Sequence, residues 1–317
     1  MVAEREEDVV DVVRACDARG EPLLVLGGGS NLVVGDAGFD GTVLRIATRG
    51  RAVSADGVVT AAAGEAWDGF VEAAVADGFA GVEALSGIPG LVGAVPMQNV
   101  GAYGQDVSET LVRLRAWDRD AGRIVTFDRA DCGFAYRSSV FRGKDRHVIL
   151  DVTFALARSR ESRPVRYAEL ARGLGVTEGA SAPLALVRDT VVALRKKKGM
   201  VLDPSDPDTR SAGSFFTNPI LPPAEAERLG DVPKFPEPDG RIKVSAAWLI
   251  ERAGFPKGFT LDGRAAISSK HALALTNRSG DATAADLVAL ARHIRAGVRA
   301  RFGVTLENEP VFVGLAL

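Results

Sequence analysis

Five short segments of this chain carry residue types that could do chemistry. The first, Gly27-Gly28-Gly29-Ser30-Asn31, lies between two apolar runs that read as strands. Consecutive glycines at such a turn expose several backbone N–H groups in a concave nest, which binds phosphate oxygens without steric hindrance. Ser30 and Asn31 add side-chain donors. No Gly-Lys-Ser/Thr follows, so this is not a P-loop, and a strand rather than a helix follows, so it is not the dinucleotide GxGxxG turn. A plain tight turn is the other reading. The second segment, SGIPGLVGAVPMQNVGAYG at 86–104, is apolar, has Gly87, Gly90, Gly93, Gly101 and Gly104, and is stiffened by Pro89 and Pro96. It suits backbone wrapped along a flat ligand, or a buried loop that only packs.

The third segment is Tyr136-Arg137-Ser138-Ser139-Val140-Phe141. Its arginine is a planar fork for a carboxylate, or a surface guanidinium lying over Phe141. The fourth, Gly213-Ser214-Phe215-Phe216-Thr217-Asn218-Pro219, sets a serine beside two phenylalanines. It has no Gly-x-Ser-x-Gly elbow and no His/Asp relay in sequence, which disfavours a hydrolase nucleophile. A hydroxyl that donates a proton stays open, as does a serine that caps a turn. In the fifth, Leu306-Glu307-Asn308-Glu309-Pro310, a carboxylate is either an acid or charge stabiliser, or part of a solvated strand edge.

The elements that must position these segments follow from periodicity. Helices are predicted over 5–19, 66–78, 183–198, 245–253 and about 282–302. Strands are predicted at Leu23–Leu26, Leu32–Val34, Thr42–Ile46, Val58–Ala63, Leu111–Trp117, Ile124–Phe127, Val148–Leu156, 213–216 and Pro310–Val313. Asp118–Gly122 reads as a hairpin turn, and 199–212 as a polar connection. The order lacks strict βαβ alternation, so the class is α+β. A length of 317 residues asks for two or three structural units. With 46% hydrophobic and 25% charged residues the chain is an ordinary globular protein. Its net charge of −2 gives no basic excess for nucleic acid, and no apolar run reaches membrane-spanning length. Cys16 and Cys132 form no CxxC pair, and His147, His271 and His293 are scattered, so no metal site is expected. Reduced cysteines and an acidic N-terminus fit a cytoplasmic protein.

Taken in order, LGGGSNLVV, SGIPGLVGAVPMQNVGAYGQ, YRSSVF, GSFFTNP and FGVTLENEPVFVG resemble the UDP-N-acetylenolpyruvoylglucosamine reductase family, flavoenzymes of peptidoglycan precursor synthesis. The motifs span 26 to 314. The resemblance implies an FAD-binding fold of the vanillyl-alcohol-oxidase (PCMH) type in two subdomains, over 1–160. A connecting loop and helix would follow at 161–198, then a C-terminal α+β substrate-binding domain at 199–317, its last strand free to return to the FAD domain. It implies FAD as cofactor and NADPH as reductant. It further implies a small UDP-sugar substrate, no nucleic-acid or membrane partner, and a monomer or weak dimer. Gly27, Gly28, Gly29, Ser30, Asn31 and Leu32 match the segment that holds the flavin pyrophosphate. Ser86, Gly87, Ile88, Pro89, Gly90, Gly93 and Ala94 line more of the FAD. So do Asn99, Gly101, Ala102, Tyr103, Gly104 and Ile149. Arg137 matches the catalytic arginine, Ser214 the proton donor and Glu309 the catalytic glutamate. Tyr136, Tyr167, Lys198, Asn218 and His271 fall at or near substrate-contact positions. Lys198 is preferred over Lys196 and Lys197 by its spacing from Arg195.

By this resemblance the enolpyruvyl group takes a hydride from flavin N5 at C3. Arg137 then meets the negative charge at C2 and its carboxylate. A protonated Glu309 donates to the same group, and Ser214 delivers a proton to C2. Family members usually begin with a further segment before the first helix. Here the sequence opens almost at that helix, so one strand of the flavin environment is expected to be lacking. Two other functions stay in view. One is a different FAD-dependent oxidoreductase of the same superfamily, against which the lack of His or Cys in the glycine-rich segments counts. The other is a flavin-free nucleotide-sugar binding protein.

Overall fold

A computed structural model describes residues 1–317. The chain divides into two compact units, Met1–Gly29 with Asp40–Lys196, and Ser30–Phe39 with Lys197–Leu317. The second unit resumes at Lys197. The excursion at 30–39 was not predicted.

In the first unit, helix α1 (Glu6–Arg19) carries three acidic residues in its first turn and ends on Gly20 in the left-handed region. Its buried face, Val9 and Val13, packs with Leu44, Ile46 and Leu150. Beside it Val2–Ala3, Thr42–Ile46 and Leu23–Leu26 form a parallel sheet with Thr42–Ile46 in the middle. A two-residue strand thus precedes the first helix.

A five-stranded antiparallel sheet follows, in the order Arg123–Asp128, Leu111–Asp118, His147–Ala155, Val58–Ala62, Arg51–Val53. Buried and partly exposed residues alternate along Val58–Ala62, as a strand with one covered face requires. Helix α2 (Trp67–Ala76) covers it, and Trp67, Phe70 and Phe154 pack ring to ring. The predicted hairpin turn closes on Asp118, whose Oδ1 accepts from the N–H groups of Asp120 and Ala121. Arg146 grips the same carboxylate at 2.9 and 2.7 Å and holds its pKa far below the usual range. Helices α3 (Ala168–Leu174) and α4 (Leu184–Lys197) complete the unit.

The second unit holds α5 (Pro223–Glu227), α6 (Ala246–Arg252) and α7 (Ala284–Phe302). Leu290, Ala291, Ile294 and Val298 recur at helical spacing on α7 and face a core with Phe215, Phe216, Leu249 and Ile250. Three small sheets surround it: Ser211–Ser214, Ala274–Asn277 and Ala265–Ile267; Ile220–Leu221, Ile242–Val244 and Lys234–Pro236; and Leu32–Val34 beside Val311–Val313. The last pair is parallel, with Val311 opposite Leu32. The final strand therefore pairs inside the second unit. Asp36 accepts from the N–H groups of Ala284 and Ala285 at 2.7 and 3.1 Å, setting a carboxylate on the start of α7.

Candidate active site

The two glycine-rich segments meet in the first unit. A Cβ built on Gly28 would stand 3.1 Å from Gly90 Cα, and one on Gly27 would touch Leu91 at 3.6 Å and Ala94 at 3.9 Å. Gly93 lies as close to the strand region behind it, where a Cβ would come within 2.5 Å of Ala63 Cβ. At Gly93 there is no room for a Cβ, and at Gly28 one would make the Gly90 backbone shift. The N–H groups of Gly27, Gly28 and Gly29 take no part in the backbone bonds of the surrounding turns. Donors of that kind, presented by a turn without side chains, fit the anionic pyrophosphate of FAD. Residues 92–98 form a 3-10 turn with Pro96 inside, in place of regular helix or strand.

The Gly87 peptide is gripped on both sides. Its N–H donates to Asp68 Oδ1 at 2.6 Å, and its C=O accepts from Arg195 Nε at 3.1 Å. Asp68 in turn takes a two-pronged bond from Arg188, at 2.7 and 3.1 Å. Arg188 and Arg195 sit two turns apart on α4, so one helix face fixes the loop. Arg195 is 8% exposed, and burial presses its pKa below the ordinary arginine value, against the pull of Tyr103 and Asp68. Burial pushes the Tyr103 phenol up to about 12, so it stays a donor. Nothing in the sequence marked Arg195 beyond its use as a ruler for Lys198; a buried charge looks like a surface one until the fold is known.

Other predicted cofactor positions serve the protein as well. Ser86 is buried and its hydroxyl donates to the Glu83 carbonyl at 2.7 Å. Asn99, at φ 47°, bridges Ala135 O and the N–H of Ser108 through its side chain. Ile149 is buried in the main core, and Ala102 packs against the same cluster. Arg137 also has a positive φ, 49°, and its guanidinium donates to Gly101 O at 2.8 Å. It lies over the Tyr136 ring at 5.4 Å. Strain at a non-glycine residue is a feature of functional sites. Ser139 donates to Met97 O at 2.7 Å, tying the YRSSVF turn to the glycine-rich segment. Tyr167 meets Tyr103 edge-on, with ring centroids 5.5 Å apart.

The second unit gathers the other predicted residues: Ser30, Asn31, Leu32, Lys198, Ser214, Asn218, His271 and Glu309. The GSFF segment runs between two neighbours. The Phe215 N–H donates to Leu273 O at 2.7 Å, and the Phe215 carbonyl accepts from the Glu309 N–H at 2.8 Å. Phe216 pairs antiparallel with Asn308. The GSFFTNP and LENE motifs, 90 residues apart at Thr217 and Glu307, are thus adjacent. Phe215 and Phe216 are both 1% exposed and stack edge-on, which anchors the backbone under Ser214. Ser214 Oγ lies 3.5 Å from His271 Nε2. In sequence that imidazole stands 57 residues from the serine. Asn31 Nδ2 donates to Glu309 O at 3.5 Å, and Asn218 Oδ1 accepts from the N–H of Ala246 at 2.9 Å.

A family model described as UDP-N-acetylenolpyruvoylglucosamine reductase, C-terminal domain, matches residues 203–313, and one described as FAD binding domain matches residues 1–128. A UDP-N-acetylenolpyruvoylglucosamine reductase of Thermobifida fusca is 57% identical over 98% of this chain and 91% of its own length. One from Salinispora arenicola is 54% identical over 100% of this chain and 91% of its own. The crystal structure of a UDP-N-acetylenolpyruvylglucosamine reductase from Thermus caldophilus shares the fold, with a TM-score of 0.65 at 24% identity over 98% of this chain and 91% of that one.

Proposed function

The chain belongs to the UDP-N-acetylenolpyruvoylglucosamine reductase family, and from that premise we propose how its own residues reduce the enolpyruvyl group of UDP-N-acetylglucosamine-enolpyruvate to UDP-N-acetylmuramate. It is an FAD-dependent oxidoreductase of peptidoglycan precursor synthesis. FAD, when bound and reduced by NADPH, would supply the hydride that the enolpyruvyl group takes up. The Gly27–Gly29 amides would hold the flavin pyrophosphate, and 86–104 would line the rest of the cofactor. Arg137 puts a fixed positive charge where negative charge grows on C2 and its carboxylate. Glu309, in its protonated form, donates a hydrogen bond to that carboxylate. Ser214 gives its proton to C2; the carbanion is basic enough to take it from a hydroxyl, and the nearby His271 orients that hydroxyl. Lys198 meets the diphosphate as a point charge, while Tyr136, Tyr167 and Asn218 hold the remainder of the UDP-sugar. Such an enzyme works in the cytoplasm on a small molecule, as a monomer or weak dimer and without nucleic acid. No helix is long and apolar enough to cross a membrane.

The observation that carries this reading is the seating of Phe215 between Leu273 and Glu309, which holds the serine and glutamate motifs side by side. The test is spectroscopic and then kinetic. The purified protein should show flavin absorbance, and NADPH should bleach it. The enolpyruvyl UDP-sugar should restore it. A protein that stays colourless after added FAD and never oxidises NADPH with this substrate sinks the proposal.

A further inference from the structure

Glu83 is a fully buried carboxylate to which the reaction above assigns no task. Its Oε2 accepts from the N–H of Gly81 at 2.5 Å. Its Oε1 accepts from Gln105 Nε2 at 2.9 Å and from the N–H of Arg163 at 3.0 Å. The Ala84 N–H donates to Gln105 Oε1 at 2.9 Å and closes the ring. These donors are neutral N–H groups from three separate stretches of chain. A carboxylate shut away from solvent keeps its place only while such donors converge on it, and each of them loses its acceptor if the carboxylate goes.

The stretch anchored at Arg163 ends in Tyr167. Along it, the Arg163 guanidinium pairs with Glu109 at 3.1 Å and Arg166 pairs with the same carboxylate at 3.7 Å. Gly104, at φ +83°, lets the stretch come close, since a Cβ there would stand 3.2 Å from Arg166 Cβ. At its end Tyr167 stands edge-on to Tyr103, yet its side is 43% exposed and open to a ligand. We infer that Glu83 is a positioning residue: it fixes 161–167 against 101–109, so that Tyr167 is held ready for the UDP-sugar. This rests on the reading of Tyr167 as a substrate contact.

Glu83→Gln keeps the shape but turns an NH2 toward groups that are themselves donors. The variant should keep its flavin absorbance and a kcat within about twofold, while KM for the enolpyruvyl UDP-sugar rises about tenfold. Tyr167→Ala should raise KM in the same way. The double variant should be no worse than Tyr167→Ala alone, because the two act through one contact. Hydrogen exchange at the Arg163 amide should be about tenfold faster in Glu83→Gln, with the strand at 147–155 unchanged. An unaltered KM, effects that multiply in the double variant, or unaltered exchange at Arg163 overturns the inference. Should Glu83→Gln fail to fold, Gln105→Met removes one arm of the ring and should give about a threefold rise by the same measurements. If the wild-type enzyme itself does not turn over the UDP-sugar, the reductase reading falls, and the Arg163 exchange still decides whether Glu83 anchors the segment.

Discussion

The glycine cradle of the first unit and the serine segment of the second are built on opposite plans. The cradle offers backbone: a Cβ on Gly28 would stand 3.1 Å from Gly90 Cα, so the Gly90 backbone would have to give way, and the turn presents amides. The serine segment offers side chains, Ser214 beside His271, on a strand locked by Phe215 and Phe216. A backbone site tolerates added atoms poorly but depends little on side-chain chemistry. A side-chain site tolerates changes of bulk around it but not the loss of one oxygen. Damage to the cradle should therefore cost cofactor retention, and damage to the serine segment should cost turnover per bound flavin.

The largest effect should come from Ser214→Ala. Loss of a general acid should slow substrate reduction about a thousandfold, with flavin content and the NADPH half-reaction unchanged. Stopped-flow reoxidation of the flavin measures it, and normal reoxidation would remove Ser214 from its role. Arg137 complicates the contrast, since a charged side chain of the first unit is assigned to the reaction. Arg137→Ala should lower kcat by about a hundredfold, and Arg137→Lys should recover only part, because a point charge lacks the planar fork. Flavin absorbance that survives both variants keeps Arg137 apart from the cradle. Gly28→Ala should weaken FAD binding about tenfold by forcing the Gly90 backbone away, while kcat at saturating FAD changes little; titration of flavin fluorescence reads it.

The smallest effect concerns Cys132, in the core of the first unit. Burial lifts its thiol to about 11, so it should resist iodoacetamide at pH 8 in the native protein and react after unfolding. The folded state holds this proton more tightly than the unfolded one. The thiol's contribution to stability is therefore intact below the unfolded value near 8.5, and it declines as pH rises from there toward about 11. Alkaline melting curves of Cys132→Ser and the wild type should converge across that window.

Long elements were legible because their signals extend over many residues. Helices α1, α2, α4, α6 and α7 all lie within two residues of their predicted ends, each carrying an apolar stripe that more than two turns or a cap make plain. Strands such as Ile220–Leu221, Lys234–Pro236 and Ile242–Val244 were not legible, since two or three residues show no period. The candidate residues could be found by type, but their company could not. That His271 comes up to Ser214, or that Arg195 is buried against Gly87, depends on turns that only the folded chain makes. Glu83 sits three residues before the predicted SGIPG segment and reads there as an ordinary surface acid.

The parallel pairing of Leu32–Val34 with Val311–Val313 sets a schedule for biosynthesis. Ribosomes add about 5–20 residues per second, so the early strand emerges on the order of tens of seconds before its partner exists. During that interval the segment at 30–39 has neither its strand partner nor the start of α7 to hold Asp36. The nascent chain therefore carries Leu32–Val34 without its strand partner until it is nearly finished.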